Sequence, residues 1–265
     1  MPRVGLGTMR KHGDEARTLV TESLAAGYRH LDTGQYYGNE EEVGQGLHAS
    51  GVPRDEIWVT TKFLHPKSPA PGELLAAAES SLQRLGVEYV DAMLVHWPNA
   101  HVPLAQAMEA LGRFRDEGKA RAVGLCNVSS TLLREALAVL PDLEIVQAEY
   151  HPYLSQRALR DLVLEHGLVL TAHSPLAVGR VLDDEVIRDV ADHHGASPAQ
   201  VALRWLVQQD RVAAIPGSSL DHPHHLAENL EVLEMELTHD EMERISGLAR
   251  GMRVVDPPHA PDWDD

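Results

Sequence analysis

One pattern recurs eight times along the chain: a short apolar run ends on a polar residue or glycine, and a longer segment with apolar residues at helical spacing follows. The apolar runs cover 4–7, 29–33, 57–62, 90–96, 121–126, 144–148, 168–173 and 212–216. The helical patterns begin at Asp14, read as the N-cap of a helix carrying Ala16, Leu19, Val20 and Leu24 before Gly27 stops it. They continue at 40–49, 71–85, 103–117, 131–140 and 155–166, then twice after the seventh run, at 183–194 and 197–208, and finally at 224–232 and 238–249. Eight strand-helix units without a long polar linker predict a parallel sheet, and a chain of 265 residues closes such a sheet most naturally into a single-domain (β/α)8 barrel spanning 1–265. The rival is an open doubly wound sheet. Its glycine fingerprint has a match in Gly44-Gln45-Gly46-Leu47-His48-Ala49, but that match lies inside a predicted helix instead of opening one after a strand.

A barrel makes strand ends converge on one mouth, and here those ends carry chemistry. Asp32, Lys62, His96, Asn127, Gln147 and Ser174 close or follow six strands, and Gly217-Ser218 follow the eighth. Packing alone gives no reason for polar residues at seven such positions. Taken singly, an acid at a strand end reads as a helix cap and a loop tyrosine as packing. Together with Tyr37, five residues after Asp32, the set reads as a site.

A phenol has an unperturbed pKa of about 10, so Tyr37 donates a proton readily near neutrality only if its anion is stabilised. Lys62 is placed to do that, Asp32 to hold the ammonium, and His96, as a neutral imidazole, to orient a carbonyl oxygen beside the phenol. Such a site protonates an oxygen as it becomes negative and needs a hydride donor that none of these four side chains supplies, which implies a nicotinamide cofactor, NADPH or NADH.

These residues sit within a longer series of short motifs. It runs through Gly5-Leu6-Gly7-Thr8, the stretch from Asp32 to Asn39-Glu40, Thr61-Lys62, Leu94-Val95-His96-Trp97-Pro98 and Gly124-Leu125-Cys126-Asn127. Gln147-Ala148-Glu149-Tyr150-His151-Pro152, Ser174-Pro175-Leu176, Ile215-Pro216-Gly217-Ser218-Ser219 and Glu228-Asn229 complete it. In this order and over nearly the whole chain, the series resembles the aldo-keto reductase superfamily, and in particular its small prokaryotic diketogluconate reductase-like members. The resemblance implies an enzyme that reduces an aldehyde or ketone to an alcohol, with Tyr37 as general acid and Asp32, Lys62 and His96 completing a tetrad. It further implies that Asn127 and Gln147 hold the nicotinamide carboxamide, that Ser174, Leu176 and Ser218 line the pyrophosphate, and that Glu228 and Asn229 contact the adenine. The alternative is a nicotinamide-binding redox-sensing or structural protein on the same fold, with little turnover.

The chain also departs from the family pattern. Cys126 stands where a serine is usual, and His173 where a tyrosine stacks on the nicotinamide. Met9 replaces a tryptophan that walls the substrate pocket in larger members, leaving Met9 and Trp97 to border the substrate. Gly217 replaces the lysine and His225 the arginine that many relatives set against the 2′-phosphate of NADP, while Asp221 suits a free ribose hydroxyl. A weak preference for NADPH at most is expected, narrowing toward NADH as His222, His224 and His225 lose protons above about pH 6.5.

Charge and composition bound the remaining roles. A formal net charge of −17 argues against nucleic-acid or anionic-membrane partners and, with lysine only at positions 11, 62, 67 and 119, suits a salt-rich cytoplasm as well as an ordinary acidic protein. The single cysteine, Cys126, excludes an intrachain disulfide and reads as a small buried hydrophobe. No apolar run is long enough to span a bilayer and the start leaves no room for a signal peptide, so a cytoplasmic monomer acting on a small carbonyl compound is expected. The pair His193-His194 and the cluster His222, His224 and His225 have spacings that place few rings on one helical face, so no metal site is expected. The acidic tail 261–265 reads as a loose terminus, with Trp263 as the residue able to fold over the mouth.

Overall fold

The computed structural model describes residues 1–64, 72–99 and 102–264. The strands are β1 (Leu6–Gly7), β2 (His30–Asp32), β3 (Trp58–Phe63), β4 (Val90–Val95), β5 (Ala120–Cys126), β6 (Ile145–Glu149), β7 (Val169–His173) and β8 (Val212–Ala214). The helices are α1 (Gly13–Ala25), α2 (Glu40–Ala49), α3 (Glu73–Leu85), α4 (Leu104–Asp116), α5 (Ser130–Val139), α6 (Arg157–Glu165), α7 (Glu185–His194), α8 (Pro198–Val207), α9 (His224–Glu231) and α10 (His239–Ser246). All strand pairs are parallel and follow chain order from β1 to β8. The sheet then closes on itself. Parallel bridges join Val4 to Ala214 and Gly7 to Gly217, and the Gly5 amide donates to the Ala214 carbonyl at 2.9 Å. The predicted helix start at Pro71 lies outside the described residues. Among the described residues no helix is long and apolar enough to cross a membrane.

The period of two along each strand divides the core into two parts. Met93 and Val95 of β4, with Val123 and Leu125 of β5, join the main core packed between sheet and helices. Ala92, Leu94, Ala122, Cys126 and Ile145 form a separate cluster inside the barrel, with Trp58 packed against it. The same alternation carries His30, Thr60 and Trp58 into the lumen, where the His30 ring and the Trp58 Nε1 both lie within hydrogen-bond distance of Thr60 Oγ1. Two residues further along their strands come Asp32 and Lys62, and His96 follows Leu94 in the same phase. The polar strand ends are thus the top layer of a lumen whose lower layers are filled.

Two local expectations change. The first helix starts at Gly13 after His12, and no side chain caps it, so Asp14 is a first-turn acid that favours the helix dipole and is not the cap. Gly44 and Gly46 lie inside α2, where a Cβ would come within 2.3 Å of the Leu85 carbonyl oxygen and 2.6 Å of the Arg17 carbonyl oxygen respectively. They let α2 pack tightly against the neighbouring helical segments and have no part in a phosphate loop.

Candidate active site

Lys62 is at the centre of the mouth and is fully buried. Its Nζ donates to Asp32 Oδ1 at 2.5 Å, to the Thr33 carbonyl at 2.7 Å and to the Tyr37 hydroxyl at 3.2 Å. Asp32, also buried, accepts a second bond from Gln147 Nε2 at 2.7 Å. Burial raises the Asp32 pKa while the Lys62 cation and the Gln147 amide counter that rise, and Asp32 in turn holds the Lys62 pKa above the ordinary lysine value even though burial alone would lower it. Such a pair persists because each charge has hydrogen-bond partners in place, whereas either one alone would be a costly buried charge.

Tyr37 reaches this pair from a short 3-10 turn, Gln35–Tyr37, that follows β2. The loop is held by Asn39, whose Oδ1 accepts from Thr33 Oγ1 at 2.9 Å and whose Nδ2 donates to the carbonyls of Thr8 and Lys11. Glu40 fixes the start of α2, accepting from Thr61 Oγ1 at 2.5 Å and from Arg84. His96 packs edge-on to Tyr37 with ring centroids 5.5 Å apart, and its Nδ1 is buried without a hydrogen-bond partner. Burial first, then the neighbouring cation Lys62, lowers the His96 pKa to about 2, so the ring is neutral. The Tyr37 phenol has Lys62, the cation expected from the sequence, at its hydroxyl. Burial raises its pKa to about 12, and Lys62 offsets that rise without cancelling it. The phenol therefore holds its proton firmly across neutral pH.

Beside the tetrad stand the polar residues at the remaining strand ends. Asn127, in the left-handed region at φ 59°, donates to the His96 carbonyl at 2.9 Å and places its Oδ1 2.8 Å from His173 Nε2. His173 is neutral, its pKa lowered to about 4 chiefly by burial. Cys126 lies 3.1 Å from Asn127 Nδ2 and 3.6 Å from Gln147 Oε1, a soft contact where a hydroxyl would bond more firmly. Ser174 is left-handed as well, at φ 50°, and opens the loop that carries Leu176. Past β8, Gly217 is exposed while Ser218 is buried with an unpartnered Oγ. His225 is exposed, Glu228 half-buried and Asn229 buried on α9.

The buried, unpaired Ser218 hydroxyl fits a phosphate oxygen as its partner. Sequence reasoning missed three supports: the Gln147 bond to Asp32, the Thr33 carbonyl under Lys62, and Glu149. Buried Glu149 accepts from His151 at 2.8 Å and from the amides of Val254 and Val255 at 2.7 Å, tying the C-terminal segment to β6. That segment is not loose as far as residue 264. Trp263 lies 6.4 Å from Trp97 and under Arg253, His259 stacks edge-on to Trp97 at 5.1 Å, and Asp264 accepts from the amide and hydroxyl of Ser130. Trp97 is half-buried, Met9 is exposed, and the exposed Tyr36 stands edge-on to His96 with ring centroids 6.0 Å apart.

Comparison with known proteins agrees with this arrangement. The sequence matches the Aldo/keto reductase family over residues 3–250. It is 40% identical over 260 residues to an aldo-keto reductase of Mycolicibacterium smegmatis, covering 97% of this chain and 90% of the relative. It is 39% identical over 259 residues to a glyoxal reductase of Bacillus subtilis, covering 96% and 91% respectively. A crystal structure carrying the provisional name 2,5-diketo-D-gluconic acid reductase B superposes with a TM-score of 0.95 at 36% identity, over 100% of this chain and 94% of that one. The chain belongs to the aldo/keto reductase family and is an NAD(P)H-dependent oxidoreductase.

Proposed function

We propose that the enzyme reduces a small aldehyde or ketone to an alcohol with Tyr37 as the proton donor, using either NADPH or NADH. The observation that carries this reading is the Tyr37 hydroxyl 3.2 Å from a buried ammonium and beside a neutral imidazole whose Nδ1 has no partner. When bound, a reduced nicotinamide supplies the hydride; the side chains supply the rest. The free imidazole edge of His96 orients the carbonyl oxygen. Tyr37 gives up its proton as that oxygen gains charge, and Lys62 stabilises the phenolate left behind. Asp32 keeps Lys62 in place. Asn127, Gln147 and His173 would hold the nicotinamide, Ser174, Leu176, Gly217 and Ser218 the phosphates, and His225, Glu228 and Asn229 the adenosine end.

With Tyr37 raised to about 12 and His96 lowered to about 2, neither group titrates between pH 6 and 9, so reductive kcat is expected to be flat over that range. The names of the relatives put small polar carbonyl compounds first in a test panel. Incubation with reduced cofactor and that panel, followed by absorbance and product analysis, is expected to show one alcohol formed per cofactor oxidised. Tight cofactor binding without turnover of any aldehyde or ketone would favour the redox-sensing or structural alternative.

A further inference from the structure

A second constellation lies apart from the tetrad and the proposed cofactor site. The last two residues of α7, His193 and His194, meet Glu241 in the first turn of α10. His193 Nδ1 is 3.0 Å from Glu241 Oε1, and His194 Nε2 is 3.0 Å and 3.1 Å from Oε1 and Oε2. One ligand atom from each residue gathers within 4.8 Å of the others. Adjacent residues on a helix point about 100° apart, which is why their spacing alone indicates no site. The two rings overcome that divergence by presenting opposite nitrogens, Nδ1 from one and Nε2 from the other, to a carboxylate inserted from another helix.

Glu241 is well prepared for such a role. Its side chain is 7% exposed, and its Oε2 is held by the Thr238 amide at 2.8 Å and the Thr238 hydroxyl at 2.9 Å in a capping box. These bonds and the two histidines outweigh burial and keep its pKa down to about 2, so the carboxylate is anionic throughout the neutral range. His193 is 74% exposed, leaving one side open to solvent.

We propose that His193, His194 and Glu241 form a binding site for a divalent transition-metal ion of the zinc class, joining α7 to α10 with water in the fourth position. Zinc bonds of about 2.0–2.1 Å to nitrogen and oxygen set tetrahedral ligand atoms roughly 3.3 Å apart, so the two histidine-to-Glu241 spacings need open by only a few tenths of an ångström, while the spacing between the two ring nitrogens falls within 4.8 Å. Two imidazoles and one carboxylate suit zinc, nickel, cobalt or copper; magnesium and calcium prefer all-oxygen shells. A second cluster, His224, His225 and Glu228, also brings ligand atoms within 4.8 Å, but its residues are exposed or half-buried and none of them is a carboxylate fixed by a capping box. The first cluster is therefore the preferred site.

The test uses untagged, chelator-treated protein titrated with cobalt(II) and zinc(II). Cobalt is expected to bind with the strong visible absorption of a tetrahedral ion and to be displaced by zinc, and saturating zinc is expected to raise the thermal midpoint by several degrees. Glu241→Gln preserves the capping box, which accepts glutamine, but removes the anionic ligand. That variant and His194→Ala are each expected to weaken metal binding at least about tenfold, whereas His224→Ala, in the second cluster, leaves it unchanged. Failure of either metal to bind below about 100 μM, or binding that is unaffected in both Glu241→Gln and His194→Ala, would overturn the proposal and leave these residues as a helix cap with two hydrogen-bonded histidines.

Discussion

The two ends of the proposed cofactor site are built differently. At the tetrad end Asp32, Lys62 and Gln147 are each almost wholly buried, are carried by strands, and bond to one another within 2.5–2.7 Å. At the proposed adenosine end Asp221, His222, His224 and His225 are exposed and carried by a loop and the start of α9; the three rings pack on one another and Asp221 bonds to Ser219. A strand end in a closed barrel has its direction fixed by register, so side-chain identity alone decides the chemistry placed there. A surface loop has no such constraint and can change charge without disturbing the core. The reaction type should accordingly tolerate no substitution at the first end, while cofactor choice should respond to small changes at the second.

The largest effect is expected at Lys62. Lys62→Met would remove the cation that stabilises the Tyr37 phenolate and leave Asp32 buried without its ion-pair partner. Turnover should fall by about 10²-fold to 10⁴-fold, and stability by about 3–5 kcal/mol, measured by steady-state kinetics and chemical unfolding. A variant that lost only one of the two would separate the structural from the chemical part of the pair. Next is Ser218, whose buried, unpartnered hydroxyl is proposed to meet a phosphate. Ser218→Ala should weaken cofactor binding about tenfold in a fluorescence titration and leave kcat at saturating cofactor nearly unchanged.

A smaller, several-fold effect is expected in cofactor choice. Asp221 is exposed beside three histidines and would repel a 2′-phosphate, so Asp221→Asn should move the cofactor preference several-fold toward NADPH. kcat/KM for each cofactor in the variant and the unaltered enzyme checks it. A strong preference for NADPH in the unaltered enzyme would place another cation at the 2′-phosphate. Smallest of all is the response to salt: with a net charge of −17, added potassium chloride should raise the thermal midpoint by about 2 °C or more, because screening relieves self-repulsion. A flat or falling midpoint would mark ordinary acidity.

The same contrast explains what the sequence revealed. His30-Leu31-Asp32, Thr60-Thr61-Lys62 and Leu94-Val95-His96 alternate between lumen and helix layer, so Asp32, Lys62 and His96 could be placed from strand ends alone, and Tyr37 by its spacing from Asp32. Contacts across long separations could not be placed in this way. Arg84 reaches Glu40 across 44 positions, and Glu149 takes amides 105 and 106 residues away. Glu241 meets two histidines nearly 50 residues earlier. The sequence likewise names the cation beside Tyr37 but not the burial that raises the phenol pKa more than Lys62 lowers it.

The most direct measurement compares Tyr37→Phe with the unaltered enzyme in two assays, turnover of a reactive aldehyde and equilibrium binding of the reduced cofactor. The ring stays and only the proton donor goes, so turnover should fall by about 10²-fold to 10⁴-fold while the cofactor Kd stays within about twofold. Full retention of turnover would contradict the role assigned to Tyr37, and with it the reading of the buried Asp32–Lys62 pair as the group that stabilises its anion.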